Sequence, residues 1–252
     1  ASDGGLTTFS KNNASLFAGG DTKLASYMGV DTSQLESYFT WATGKDIDSD
    51  SGGPTTMRKD VMGDPLHSKP LAINFGSKSS PDLRVLVGTN AGFLHMFKDA
   101  GDTVTESWAF MPYELLPNIR ELKANVPTGV HSVYGLDSSP VSYVKTGASG
   151  VEKAWVFVGM RRGGKSYYAF DVTTPDSPRF MWKIDSNSAG MAELAQTWSE
   201  PVVTHIPGWP TGNTDPSKAK PVLIFGAGYS PSTKDGAAVG MNDSEGRGVY
   251  IV

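Results

Sequence analysis

A chain of 252 residues without cysteine can form one large domain or two small ones, but no disulfide, thiolate nucleophile or cysteine-ligated metal centre. A net charge of -4 gives it no overall attraction for nucleic acid, and no apolar run reaches the ~18 residues of a membrane-spanning helix. Glycine (29) and proline (16) favour many turns and short strands over long helices. No signal peptide begins at Ala1, which leaves a mature exported form, a cytoplasmic protein and an excised fragment open.

Residues 1 to 61 have a helical texture. Ser33-Gln34-Leu35-Glu36 reads as a capping box, and Leu35, Tyr38, Phe39 and Ala42 follow at helical spacing to a stop at Gly44. A shorter helix is expected around Lys23 to Met28. The aromatic stripe is read as packing on the β-rich remainder of the chain, in preference to a separate binding role for Trp41. Next comes an Asp-rich loop. Asp46, Asp48 and Asp50 stand at positions 1, 3 and 5, followed by Ser51 and the turn-permitting Gly52 and Gly53. Three carboxylates around one centre open a calcium loop, because Ca²⁺ takes six to eight oxygens. Gly52 could add a backbone oxygen, and Ser51 or Asp60 could complete the shell. Position 9 is Pro54 and position 12 is Met57, so the usual bidentate Glu is missing, and a solvated acidic linker is the equal alternative.

Residues 62 to 252 repeat. The stretches VLVGTNAGFLHMF (85–97), VFVGMRRGGKSYYAFDV (156–172) and LIFG (223–226) with GVYIV (248–252) each give an apolar strand, a glycine, a turn and a second apolar strand. His95, Tyr168 and Tyr250 share one column; Phe97, Phe170 and Val252 share another. Each hairpin is preceded by an x-S-x-P signature at His67–Pro70, Asp137–Pro140 and Trp198–Pro201. The prolines lie 70 and 61 residues apart and the glycines Gly88, Gly159 and Gly226 lie 71 and 67 apart, so two signatures keep step. A fourth strand follows in the first two copies, at 107–111 and 179–184. The expected fold is all-β: a modified β-propeller of four-stranded antiparallel blades, about three repeats with the last incomplete, and so part of a longer ring. An open fold of three sheets is the alternative.

Gly159 to Ser166 matches the phosphate-binding loop G-x-x-x-x-G-K-[ST]. That loop needs a helix after its Lys-Ser, whereas Tyr167 to Val172 reads as a strand, so the match is assigned to a hairpin tip and no nucleotide is expected. Arg161, Arg162 and Lys165 on this tip read as a solvated turn, with contact to an acidic partner as the functional alternative. Trp198 and Trp209 are assigned to packing, and His95 to a structural hydrogen bond. No G-x-S-x-G elbow or H-E-x-x-H helix occurs.

The ordered motifs MGDPLHSKP (62–70), VLVGTNAGFLHMF, AFMPYELLPN (109–118), YGLDSSPVSY (134–143) and the 156–172 hairpin resemble the C-terminal domain of PilY-type proteins, from about residue 33 to Val252. The resemblance implies a modified β-propeller at the pilus tip or outer surface of Gram-negative bacteria. It also implies minor pilins as partners, support of pilus extension against retraction, and roles in twitching and in attachment to host or abiotic surfaces. It further implies a calcium loop just before the M-G-D-P-L-H-S stretch, which adds weight to Asp46, Asp48 and Asp50. The missing position-9 carboxylate departs from the family pattern, and GYSPSTKDG (228–236) does not match a second family loop. The leading expectation is therefore a non-enzymatic, exported, pilus-associated protein. The alternative is a quinoprotein dehydrogenase, whose propeller strands also end in aromatic runs followed by Asp.

Overall fold

The computed structural model describes residues 6–16, 19–127, 129, 131–148, 150–215 and 218–252. Helix α1 (Gly20–Met28) and helix α2 (Leu35–Ala42) form the first segment. The cap of α2 lies earlier than the sequence suggests: Gln34 Oε1 accepts the Asp31 N–H at 3.0 Å, at the start of the turn Thr32–Gln34. Gly44 stops the segment with φ +94°, and a Cβ there would fall 2.2 Å from Val61. The apolar faces, with Leu24, Met28, Leu35 and Phe39, close around Leu116 and around Ile119 of helix α3 (Asn118–Ala124). The segment thus completes its core with residues more than 70 positions downstream.

The rest is mostly antiparallel sheet, in chain order. Strands β1 (Leu71–Asn74), β2 (Leu83–Gly88), β3 (Leu94–Asp99) and β4 (Val104–Phe110) make the first sheet. Strands β5 (Val141–Gly147), β6 (Gly150–Gly159), β7 (Tyr167–Asp171) and β8 (Arg179–Ile184) make the second. Strands β9 (Val202–His205), β10 (Pro221–Gly226) and β11 (Val249–Ile251) make the third. Among the described residues no sheet closes on itself, and no helix is long and apolar enough to cross a membrane.

Strand alternation decides which sheet meets which. Leu86, Leu94 and Met96 of the first sheet turn toward Val156, Val158, Tyr168 and Phe170 of the second. The other face of the second sheet, with Phe157, Tyr167 and Ala169, turns toward Leu223, Phe225, Tyr250 and Val252 of the third. In the second and third sheets the two aligned columns therefore point back toward the preceding sheet. Phe170 is fully buried, with Phe110 at 4.8 Å, Phe180 at 6.2 Å and Trp108 at 6.5 Å between ring centroids. Val252 holds the same column at the second interface, where a groove of 210 Å³ lies between Trp155, Phe157, Trp182, Leu223 and Val252.

Polar ties cross the first interface. The Arg84 guanidinium, 1% exposed, donates to Asp82, Ser107 and Asp176. His95, 8% exposed, sets Nδ1 2.6 Å from Glu106 Oε1 and stacks on Phe97, in line with the structural role expected of it. Trp198 is partly buried, but Trp209 is 46% exposed, so the packing role assigned to both tryptophans holds only for the first.

Candidate functional site

The five predicted loop residues fold around one carboxylate. Asp46 is fully buried, and its oxygens accept the backbone N–H groups of Asp50 (3.2 Å), Ser51 (2.9 Å) and Gly53 (2.8 Å). The Gly53 bond, first among these donors, holds the Asp46 carboxyl down at about 2. Gly53 reaches this position at φ +108°, which glycine adopts without steric cost. The loop's base is zipped by Arg58 N–H to Gly44 O (2.7 Å) and Asp46 N–H to Thr56 O (3.1 Å). Asp48 takes the Lys123 ammonium of α3 at 2.7 Å to both oxygens. Asp50 accepts the Ser51 hydroxyl at 3.3 Å, and Gly52 is not among the N–H donors to the Asp46 carboxylate. Among the described residues no three His, Cys, Asp or Glu side chains gather as a metal shell. As folded, the loop satisfies its central carboxylate with N–H donors and its second with an ammonium.

Beside this loop lies a cleft of 380 Å³, lined by Trp41, Asp48, Asp50, Arg58, Asp64 and Asn90 among others. Arg58 lies 4.0 Å over the Trp41 ring and donates to the carbonyls of Trp41 and Asp60. Burial lowers its pKa, opposed by the charges of Asp50 and Asp60. The cleft mixes both signs of charge.

The three x-S-x-P signatures meet one another. His67 Nδ1 lies 2.9 Å from both oxygens of the buried Asp137, which occupies the same signature position one repeat later. The Lys69 N–H donates to Ser139 Oγ (3.2 Å), and the Ser139 hydroxyl donates to Glu200 (2.8 Å) in the third signature. Lys69 Nζ closes the set 3.7 Å from Glu200. Ser68 uses its hydroxyl locally, accepting the Gly88 N–H at 2.9 Å. Ser138 Oγ is buried without a hydrogen-bond partner, so no base activates it. This polar hub joins three repeats by side chains whose spacing showed repetition but not contact.

The Gly159-to-Ser166 match is a hairpin tip. A three-residue 3₁₀ turn, Arg161–Gly163, is followed after Gly164, Lys165 and Ser166 by β7, so no helix begins at the Lys-Ser to hold a phosphate. Lys165 is engaged by Glu245 at 2.6 Å. The tip is wedged between repeats: a Cβ on Gly163 would stand 1.8 Å from Gly135 O, and the Arg161 N–H donates to Thr197 O at 3.2 Å.

No family profile matches the chain. It is 28% identical over 243 residues to the type IV pilus biogenesis factor PilY1 of Pseudomonas aeruginosa strain UCBPP-PA14, covering 79% of this chain and 20% of that protein. It is 32% identical over 164 residues to PilY1 of the PAO1 strain, covering 64% and 12%. A PilY1 homolog of Xylella fastidiosa is 30% identical over 176 residues, covering 60% and 14%. Among solved structures, the P. aeruginosa PilY1 C-terminal domain matches with a TM-score of 0.40 and 27% identity over 59% of this chain and 25% of that one. The chain spans a fifth or less of the length of these curated relatives.

Proposed function

This chain is PilY-type over part of its length, and from that premise we propose that it is a portion of a type IV pilus biogenesis factor. In this reading it is a non-enzymatic binding module, exported and held at the pilus tip or outer surface with minor pilins. There it supports pilus extension against retraction and contributes to attachment and twitching. The observation that carries the reading is the 28% identity across 79% of the chain to a protein named for that role. The relatives are named for pilus biogenesis, not oxidation, so the quinoprotein alternative gains no support.

The three sheets are successive blades of a modified β-propeller in this proposal. Their stacking supports it, as does the far face of the third sheet. Leu94, Met96, Tyr167 and Ala169 are at most 1% exposed where a following sheet covers them. Their counterparts Val249 and Ile251 are 69% and 58% exposed, and Val202 beside them is 58% exposed. Contiguous apolar strand faces of this kind mark surfaces that another element covers, and a further blade of the same build fits this one. In-frame deletion of the coding segment in the native source tests the function. Fewer surface pili and reduced twitching are expected; normal piliation with normal motility would overturn it.

A further inference from the structure

The hairpin tip that mimics a phosphate-binding loop carries an arrangement no part of the proposed role uses. Arg161 and Arg162 set their guanidinium carbons 4.7 and 5.1 Å from the Trp198 ring centroid, and Arg162 also lies 5.4 Å from Tyr134. The Trp198 ring is fixed in turn. Its indole N–H donates to Gln196 Oε1 at 3.0 Å, the Gln196 amide donates to Arg162 O at 3.3 Å, and Tyr229 stands 5.2 Å from the ring. Neighbouring carboxylates are already engaged: Glu245 by Lys165 and Ser230, Asp235 by the Tyr229 hydroxyl, Glu193 by Arg247. Among the described residues neither Arg161 nor Arg162 meets a carboxylate, and Arg161 Nε is shielded with no hydrogen-bond partner. In a chain of net charge -4, two adjacent uncompensated guanidiniums on a braced aromatic platform are an exception to the local charge pairing.

The backbone holds them there. Arg161 sits at φ +51°, a left-handed conformation unusual for arginine, while Gly163 is pressed on Gly135 O and Thr197 bonds both Met160 N–H and Gly164 O. A pre-ordered site loses little side-chain entropy on binding. Guanidinium forks match carboxylates in two parallel hydrogen bonds, and flat rings accept an extended peptide backbone. We infer that the Arg161–Arg162–Trp198 tip is a docking site for an acidic peptide segment of a partner protein. Two guanidiniums in an acidic chain suit a short run of Glu or Asp better than a long polyanion, which the net charge repels.

The test titrates this chain with acetylated, amidated tetraglutamate and reads Trp198 by fluorescence and by its indole NMR signal. Tetraglutamine, ATP and a sulfated polysaccharide run in parallel. The expected result is saturable binding of tetraglutamate that weakens with salt, with no response to tetraglutamine. Arg161→Gln/Arg162→Gln removes both charge-assisted forks and should weaken it by about tenfold or more. Arg162→Gln alone removes only an exposed side chain and guards against a folding defect in the double variant; it should weaken binding as well. No saturable response at millimolar tetraglutamate, unchanged binding by Arg162→Gln, or equal or tighter binding of ATP or the polysaccharide would each overturn the inference.

Discussion

Replacing Phe170 by alanine probes the face-to-face sheets most sharply. Its ring is fully buried and touches the rings of Phe110, Phe180 and Trp108, the first and last of these from the preceding sheet. Removing a buried phenyl group costs roughly 3–5 kcal/mol, because the cavity walls relax only in part. For a chain of this size each kcal/mol lowers the melting temperature by about 2–4 °C, so a drop of about 6–20 °C is expected. Phe97 occupies the same column in the first sheet but is only partly buried, since among the described residues no earlier sheet covers it. Phe97→Ala should therefore cost clearly less, below about 2 kcal/mol. Thermal and urea unfolding by circular dichroism measure both. Equal losses for the two variants, or a loss below about 1 kcal/mol for Phe170→Ala, would refute the stacking order.

The tip and the Asp-rich loop supply three more tests. Gly163→Ala places a Cβ 1.8 Å from Gly135 O and should destabilise by about 1–3 kcal/mol through overpacking, read by melting temperature; a neutral result would mean the tip is not wedged between repeats. Asp46 has its carboxyl lowered from 3.8 to about 2, so its N–H bonds add stability fully above pH 4 and lose it as pH falls toward 2. Amide exchange at Ser51 and Gly53 should accordingly stay protected at pH 4 and open below pH 3, an opening that Asp46→Asn shows already at neutral pH. Calcium at a hundredfold excess over its dissociation constant would stabilise the fold by about 2.7 kcal/mol. Calcium binding by Asp46, Asp48 and Asp50 predicts that shift with binding heat at millimolar calcium, and the absence of both would remove the calcium reading.

Much of the β-architecture was legible because its period is local. Glycine-ended apolar strands and proline-started ones recur at nearly constant spacing, and each was found as a strand in antiparallel order. The fate of Gly159 to Ser166 was legible too, since Tyr167 to Asp171 cannot easily be anything but strand. The hub was not. Spacing shows that His67 and Asp137 are equivalent, but only the approach of neighbouring sheets makes them partners 70 residues apart. Helix α3 escaped because it is seven residues long and is held by Ile119 in a core built by the first segment, not by its own propensity. In the Asp-rich loop the alternation of carboxylates was visible. That Asp46 turns inward to three N–H groups, while Asp48 reaches Lys123 on a distant helix, is a tertiary outcome that charge spacing does not carry.

The most direct test of the stacked repeats is a double-mutant cycle between Phe110 and Phe170, whose rings meet edge to face at 4.8 Å across the first interface. The account predicts a coupling energy of about 0.5–1.5 kcal/mol from the unfolding free energies of the two single variants and the double. Strict additivity of the two losses would mean the sheets do not meet there, and would contradict it.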